Sequence, residues 1–315
     1  MFQGRLIAVL SALALALTTA CGSSEEEPAS SGGGEDAQKR SIEHAMGSTE
    51  ITGTPKRIVA LDTGELDSAI ALGVKPVGAV TAATGAGYPS YLEGQTEGIT
   101  EVGTIAEPSL EKIASLRPDL IISSKLRHEA IYPQLSKIAP TVFAEEVGVT
   151  WKENLKLFAE AMNKTAEGDQ LFADYDEATQ KFQDGIGDRL ADMEVSVVRS
   201  LADEVRIMGK ASFIGTVLED AGVQRPKAQA GDFFMKPGTP ENIGTMDGDV
   251  LFLSKFGDDH ERLESLQERP AWSQLRAVKN DRVTEVEDDY WMLGIGILAA
   301  QKVVADLEGL LAEEQ

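Results

Sequence analysis

Two segments of this chain, residues 109–124 and 239–254, carry the same pattern of residue types. Each begins with a hydroxyl residue that can cap a helix, and a glutamate and an isoleucine follow at the third and fifth positions. Each ends with an aspartate followed by an apolar run. This pattern predicts a helix, a tight turn and a buried parallel strand. Because one copy lies in each half of the chain, we predict two similar α/β lobes.

The N-terminal residues are typical of a bacterial secretory signal. Arg5 supplies a positive charge, and residues 6–17 form an apolar stretch that is too short to span a bilayer as a stop-transfer helix. The small residue Ala20 precedes Cys21, the only cysteine of the chain, as at a lipoprotein cleavage site. We therefore predict a signal peptide over residues 1–21, with Cys21 lipidated and no disulfide. The alternative is an ordinary signal peptide with an incidental cysteine.

Composition divides the rest of the chain. Residues 22–54 are rich in serine, glycine, glutamate and proline, which predicts a flexible tether. Apolar runs then alternate with helical periodicity over residues 55–148 and again over residues 193–315. Apolar strands separated by helices favour parallel sheets, so these bounds predict an N-terminal and a C-terminal α/β lobe.

The region between the lobes, residues 149–192, is predicted to be a helical linker. Apolar residues recur there at spacings of three and four, as in amphipathic helices. The second helix is predicted to run from Thr165 to about Asp192, unless Gly185 and Gly187 shorten or bend it. At about 1.5 Å per residue it would be about 40 Å long, enough to bridge two lobes.

The charge balance limits the partners. The formal net charge is −23, whereas nucleic-acid phosphates are bound by lysine and arginine. We therefore expect no nucleic-acid partner. An acidic chain suits the solvated surface of a secreted protein.

Motifs of catalysis are scarce. Asp62-Thr63-Gly64 matches the triplet of aspartic proteases, but that chemistry needs two carboxylates and the chain has one such triplet. We interpret Asp62 as a turn residue that follows a strand. The sequence has no Gly-x-Ser-x-Gly motif, phosphate-binding loop or dinucleotide-binding turn, and no nucleophile–base pair is evident. We predict a protein that is not an enzyme; a secreted α/β hydrolase is the alternative from another class.

The three histidines, His44, His128 and His260, show no metal-ligand spacing. No site for a bare metal ion and no cofactor is therefore expected, and any bound iron would already be held by a chelator. Haem stays open as a ligand, because His128, Met208 or Met235 could supply an axial ligand to its iron.

Candidate binding residues follow from the rule that ligands of open α/β sheets bind beyond the carboxyl ends of the strands. Aromatic residues make up only 6% of the chain, so their concentration in loops after predicted strands is informative. Arginine is useful there, because its planar fork donates to carboxylate or hydroxamate oxygens while its stem packs on apolar surface. The predicted ligand-binding residues are Tyr88, Tyr91, Arg127, Arg206, Met208, Phe213, Phe233, Phe234, Phe256, Tyr290 and Trp291.

Six motifs follow one another in a familiar order. They are Pro55–Leu61, Ala71–Gly78, Val102–Thr104 with Pro108–Ile113, Leu116–Ile122, Ile138–Val142, and Leu275–Val283. Over residues 55 to about 311, the chain resembles the iron-siderophore and cobalamin-binding lipoproteins of ABC importers, which are class III periplasmic binding proteins.

The resemblance implies two α/β lobes joined by one long helix, with the ligand in a shallow cleft between them. It implies a receptor, here expected to be a monomer, that is held only by its lipid at the extracellular face of the cell membrane. Its ligand would be a ferric siderophore, delivered to the permease dimer of an ABC transporter for iron uptake. A hydroxamate siderophore is favoured, because cleft arginine and aromatic residues hold the iron centre of such ligands in this family. Haem or cobalamin is the alternative within the family, and Trp291 is similar to the family's tryptophan before the last helix.

The resemblance also implies a role for the repeated glutamates, Glu111 and Glu241. In the family, glutamates at these positions form salt bridges to permease arginines. Equivalent acids on two lobes can meet equivalent basic pockets on a two-subunit permease. The alternative is local: at the second position of a helix, the helix dipole stabilises a carboxylate.

Overall fold

The computed structural model describes residues 38–312 of the chain. The predicted signal peptide, Cys21 and residues 22–37 of the predicted tether lie outside this range. Among the described residues, no helix combines the length and the apolar character needed to cross a membrane.

The last part of the predicted tether is an ordered hairpin. Strands β1 (Lys39–His44) and β2 (Gly47–Thr52) pair antiparallel. Ile42 pairs with Thr49, and Ile51 pairs with Arg40, across the two strands. Both isoleucines are buried in the main core. The prediction of a tether to residue 54 is therefore wrong for this hairpin. One isoleucine per strand is enough to bury it against a lobe, and composition does not reveal that partner surface.

The N-terminal lobe has a parallel sheet covered by helices. Its strands are β3 (Ile58–Ala60), β4 (Gly78–Thr81), β5 (Thr100–Thr104), β6 (Leu120–Ser124) and β7 (Thr141–Ala144). Its helices are α1 (Thr63–Ala71), α2 (Leu110–Ser115), α3 (Lys125–His128) and α4 (Tyr132–Leu135). The strands are hydrogen-bonded in the order β5-β4-β3-β6-β7, all parallel. Strands β3 and β6 are buried along their whole length, as expected for a sheet with helices on both faces.

Two helices connect the lobes, α5 (Trp151–Ala161) and α6 (Thr165–Ile186). Helix α6 has 22 residues, or about 33 Å. It ends earlier than Asp192 because Gly187 adopts φ 63°, a left-handed conformation that stops a helix. A short 3₁₀ turn over residues 187–191 completes the linker.

The C-terminal lobe has a mixed sheet. Its strands are β8 (Val195–Ser200), β9 (Val205–Met208), β10 (Met235–Pro237), β11 (Val250–Lys255) and β12 (Val283–Val286). Its helices are α7 (Phe213–Asp220), α8 (Glu261–Gln267), α9 (Arg276–Lys279) and α10 (Ile297–Ala312). In the order β10-β9-β8-β11-β12, the last three strands are parallel, whereas β9 and β10 are antiparallel additions at one edge. The prediction of a parallel sheet therefore covers only part of this lobe.

The two copies of the repeat fold differently. In the first copy, Ser109 caps α2, and its hydroxyl accepts from the backbone N–H of Lys112 at 3.4 Å, before the chain continues into β6. The second copy forms only a 3₁₀ turn, Ile243–Met246, before β11. The predicted second helix is absent because glycine and asparagine are weak helix formers, and Gly244 lies inside this segment.

A specific joint holds α1 against α10. Asp67 of α1 accepts hydrogen bonds from the backbone amides of Leu298 and Ala299, both at 3.1 Å, and from the Tyr91 hydroxyl at 2.7 Å. Gly296 leaves room for this carboxylate, since a Cβ there would lie 2.3 Å from Asp67 Oδ1. Burial raises the pKa of Asp67 to about 7. This joint and the continuous helix α6 both connect the two lobes.

Candidate functional site

A cavity of about 270 Å³ lies between the lobes, beyond the carboxyl ends of strands β3, β6 and β8. Its walls combine a few charged groups with many apolar ones, as is usual for small-molecule sites. The lining residues are Asp62, Thr63, Ile105, Arg127, Val147 and Gly148 on one side, and Arg199, Arg206, Met208, Ala211, Ser212, Phe213, Ile214, Phe234, Trp291, Met292, Leu293 and Ile295 on the other.

On the N-terminal side, Arg127 and Asp62 form an ion pair. Asp62 caps α1 by accepting from the backbone N–H of Thr63 at 2.7 Å, and its side chain is fully buried. Arg127 follows β6 and donates from Nε to the other Asp62 oxygen at 2.8 Å. The Arg127 side chain is 38% exposed, and its terminal nitrogens make no hydrogen bond within residues 38–312. These nitrogens are therefore available to a ligand.

On the C-terminal side, Arg199 is held more tightly. Its Nε and Nη2 donate to the two carboxylate oxygens of Asp288 at 2.7 and 2.6 Å. The Ser254 hydroxyl donates to the same aspartate. The guanidinium also lies 5.3 Å from the ring centre of Phe256, within cation–π range. This buried network gives the guanidinium one orientation, with an edge that reaches the cavity wall.

Arg206 is the third cavity cation. It lies on β9, and its Nε donates to Glu204 at 2.7 Å. Asp288 and Glu204, the partners of Arg199 and Arg206, are not among the lining residues. Among residues 38–312, three arginines but only one acidic residue, Asp62, thus line the cavity. The wall is suited to a ligand that presents anionic oxygens.

The structure brings six of the eleven predicted binding residues into the cavity wall. They are Arg127, Arg206, Met208, Phe213, Phe234 and Trp291. Arg206 and Met208 lie on a strand, however, and not in a loop after one as predicted. The other five, Tyr88, Tyr91, Phe233, Phe256 and Tyr290, do not line it.

These five aromatic residues have other contacts. The Tyr91 hydroxyl donates to the buried carboxylate of Asp67, and the Tyr290 hydroxyl donates to Asp306. These hydrogen bonds turn both rings away from the cavity. Phe233 packs close to Gly209 and Gly231. Tyr88 and Phe256 line a neighbouring pocket of about 90 Å³, which shares Thr63 and Leu293 with the main cavity.

Trp291 forms part of the cavity floor but is fully buried. Its ring centre lies 4.9 Å from that of Phe252, and its indole N–H donates to Asp306 at 2.9 Å. By contrast, Phe234 is 53% exposed at the same cavity. Trp291 therefore contributes to the core of the lobe as well as to the cavity surface.

Sequence reasoning missed Arg199 and Asp62 as cavity residues. Arg199 directly follows the apolar run Val195–Val198, so the carboxyl-end rule could have found it. Asp62 follows β3 in the same way, and its interpretation as a turn residue overlooked its ion pair with Arg127. In both cases the informative signal was a charged residue directly after an apolar run.

Two serine–histidine pairs appear that the sequence did not suggest. Ser123 Oγ lies 2.7 Å from His128 Nδ1, and Ser200 Oγ lies 3.1 Å from His260 Nδ1. In each pair, histidine Nε2 faces a backbone carbonyl, and both serines are fully buried. The pairs are hydrogen-bonded core contacts without an accessible nucleophile.

The same contacts bear on metal binding. Both ring nitrogens of His128 are engaged, which removes it as an axial ligand to haem in this arrangement, and burial lowers its pKa. Met235 lies on β10 and does not line the cavity, whereas Met208 does. Within residues 38–312, no group of three or more histidine, cysteine, aspartate or glutamate residues is arranged to hold a metal ion.

The two predicted docking glutamates are exposed. Glu111 is the second residue of α2, as predicted. Glu241 precedes the 3₁₀ turn and is not at the second position of a helix, so that part of the prediction is wrong. A hydrogen bond from the Thr239 side chain lowers the pKa of Glu241.

Comparison with known proteins places these features in a family. The model of the family described as periplasmic binding protein matches residues 58–290. The chain is 38% identical to the probable siderophore-binding lipoprotein YfiY of Bacillus subtilis, covering 94% of each chain. It is 32% identical to the Fe(3+)-citrate-binding protein YfmC of the same organism, covering 97% of each. The crystal structure of Staphylococcus aureus SirA complexed with staphyloferrin B matches with 36% identity and a TM-score of 0.78, covering 86% of this chain and 98% of SirA. These matches confirm the predicted two-lobe fold.

Proposed function

Because this chain belongs to the periplasmic binding protein family, as a class III substrate-binding protein, we propose that it binds a ferric siderophore and delivers it to an ABC permease for iron uptake. The observation that carries the proposal is the interlobe cavity, where three arginines and many apolar side chains face one space. Guanidinium groups donate to the oxygen atoms of an iron chelate, and apolar walls take its carbon skeleton. The names of the relatives, which specify siderophores and ferric citrate, support this ligand class. We propose no enzymatic activity for the chain.

Two ligand types remain as proposals. The sequence favours a hydroxamate siderophore. Three hydroxamates neutralise the charge of ferric iron, however, whereas carboxylate-type chelates keep negative charge. The three guanidinium groups on the cavity wall favour the second type, so we also propose a carboxylate siderophore as ligand. Haem and cobalamin are the alternatives to test beside them.

A titration of tryptophan fluorescence should separate these ligands. Trp291 lines the cavity, so its emission should be quenched when an iron chelate binds. We expect a submicromolar Kd for at least one ferric siderophore, which corresponds to a binding free energy on the order of −8 kcal/mol or tighter. The series should include ferrioxamine B, ferrichrome, ferric citrate, ferric staphyloferrin B, ferric enterobactin, haem and cobalamin. A clear preference for haem or cobalamin would contradict the siderophore assignment.

Arg206→Ala is the sharpest variant for this titration. Its partner Glu204 is partly exposed, so the variant contains no buried unpaired charge. Removal of Arg199 would instead leave the buried carboxylate of Asp288 without its cation. Loss of a charge-assisted hydrogen bond costs about 1.5–3 kcal/mol, so Kd should rise roughly tenfold to a hundredfold. Arg262→Ala, an exposed arginine on α8 outside the cavity, is the matched control and should bind normally. Equal affinity of both variants would remove Arg206 from the site.

We propose that the protein is anchored at the extracellular face by a lipid on Cys21. The support is the apolar stretch before Ala20-Cys21 and the word lipoprotein in the names of two relatives. Cys21→Ser should release the protein into the culture medium, while the unchanged protein should stay with the membrane fraction. Mass spectrometry of the mature N-terminus provides the second measurement. A different mature N-terminus, or a membrane-bound serine variant, would contradict lipidation.

We further propose that the monomeric, loaded receptor meets the two-subunit permease through Glu111 on one lobe and Glu241 on the other. Both carboxylates are exposed, and neither lines the ligand cavity. Their substitution should therefore separate transport from ligand binding.

A further inference from the structure

Two buried carboxyl groups lie at the start of α1: Asp62 is part of the cavity wall, and Glu65 lies behind it. Asp62 and Glu65 are 1% and 2% exposed. Asp62 is paired with Arg127, whereas Glu65 Oε1 is buried and has no hydrogen-bond partner in the part of the chain that the structure describes. Burying a carboxylate with an unpaired oxygen is costly, so a protonated Glu65 is favoured.

Arg127 pairs with Asp62, and its positive charge also lowers the pKa of Glu65. Two charged groups act on Glu65: the negative charge of Asp62, which caps α1, raises its pKa, and the positive charge of Arg127 on α3 lowers it. Helix α5 contributes Trp151, Asn154 and Phe158 to the surroundings, and the segment before α10 contributes Ile295, none of which titrates in the neutral range. Burial, together with the charge of Asp62, raises the pKa of Glu65 to about 8. His128 also feels Asp62, but burial lowers its pKa, so it stays neutral at higher pH.

A small cavity lies beside Glu65. Its volume is about 10 Å³, about the space of one water molecule, and it is lined by Glu65, Ser68 and Asn154. It shares Val147, Gly148 and Ile295 with the lining of the main cavity. Glu65 therefore lies one residue layer behind the ligand space.

We propose that binding of an anionic ferric chelate in the interlobe cavity is coupled to uptake of one proton by Glu65. The inference rests on the proposed receptor function. A chelate that engages the terminal nitrogens of Arg127 adds negative charge beside Asp62 and competes for the cation that pairs with Asp62. An ionised Glu65 then becomes less favourable, and its carboxylate takes a proton from the buffer to become a neutral carboxylic acid. No other bond is made or broken.

The sign of the pH dependence follows. At pH 7 Glu65 is already protonated in the free protein, so the ligand needs no additional proton. Above pH 8 the free protein has lost this proton and must regain it on binding. Affinity should therefore fall as pH rises through 8, by up to about tenfold between pH 7 and pH 9 for one linked proton.

The first test uses the unchanged protein with ferric citrate and ferric staphyloferrin B as probes. Isothermal titration calorimetry at pH 8 in phosphate and in Tris, whose ionisation enthalpies differ, counts the protons exchanged. We expect uptake of about half a proton per chelate at this pH. Zero uptake, or proton release, would overturn the coupling.

The second test assigns the proton. Glu65→Gln keeps the size of the side chain but does not titrate, so its Kd should change far less between pH 7 and pH 9. Glu129→Gln, an exposed glutamate of the same lobe, is the matched control and should keep the full pH dependence, including any part due to the chelate itself. Equal pH dependence in both variants would overturn the assignment to Glu65.

If neither these two chelates nor any other compound in the fluorescence series binds at any pH, the receptor function itself fails. Binding without proton uptake refutes only the coupling.

Discussion

Trp291→Ala should lower the free energy of unfolding by about 3–5 kcal/mol, the cost of removing a large buried aromatic side chain. The indole is fully buried, packs on Phe252, and donates to Asp306, so its loss opens a cavity in the core of the C-terminal lobe. Asp306 keeps the hydrogen bond from Tyr290, which limits the electrostatic part of the loss. Urea unfolding followed by circular dichroism measures the effect as a lower midpoint with little change in slope.

Two controls separate stability from binding at this position. Trp291→Phe keeps a ring against Phe252 and should cost much less, since it removes mainly the N–H hydrogen bond, worth about 1 kcal/mol. Phe234→Ala, at an exposed position on the same cavity, should change stability by no more than about 0.5 kcal/mol while weakening chelate binding. If Trp291→Ala unfolds at the same urea concentration as the unchanged protein, the indole is not part of the core.

Replacing both Glu111 and Glu241 by alanine should sharply reduce siderophore-dependent iron uptake by cells. Loss of one partner in an interfacial charge pair costs on the order of 2–5 kcal/mol, and the double variant loses one on each lobe. Both side chains are exposed and lie outside the cavity, so folding and chelate affinity should stay nearly unchanged. Uptake of radiolabelled iron, measured beside Kd in vitro, tests both statements.

The matched control for docking is the double variant Glu177→Ala with Glu264→Ala. These glutamates are also exposed, one on α6 and one on α8, so the variant has the same net charge. It should transport normally. Normal transport by the Glu111 and Glu241 variant, or loss of its chelate binding, would refute the docking role and leave the local alternative, stabilisation of a helix or turn.

Elements with a strong local pattern were predictable. The run Val195–Val198 and the periodic positions of α5 and α6 specify a buried strand and two amphipathic helices by themselves, because burial repeats with the period of the element. The identical spacing in the two repeat copies suggested equal structures, but Gly244 weakens the second helix to a 3₁₀ turn.

Elements that depend on a distant partner were not predictable. Strand β9 has four residues and exists through antiparallel pairing with β8 and β10. The hairpin β1–β2 is ordered because Ile42 and Ile51 enter a core supplied mostly by other segments. A short strand carries too little local signal to specify its hydrogen-bonding neighbour.

The sequence by itself determined the class of fold and the residue types of the site, since apolar periodicity and charged residues after strands are local properties. Only the tertiary structure decided which of those residues face the ligand space. Tyr91 is turned away by Asp67, and Arg199 is oriented by Asp288, 89 positions further along the chain. A side chain points where its buried hydrogen-bond partner lies, because an unpaired polar group in the interior is too costly. Those partners lie on other segments of the chain, and no local pattern names them.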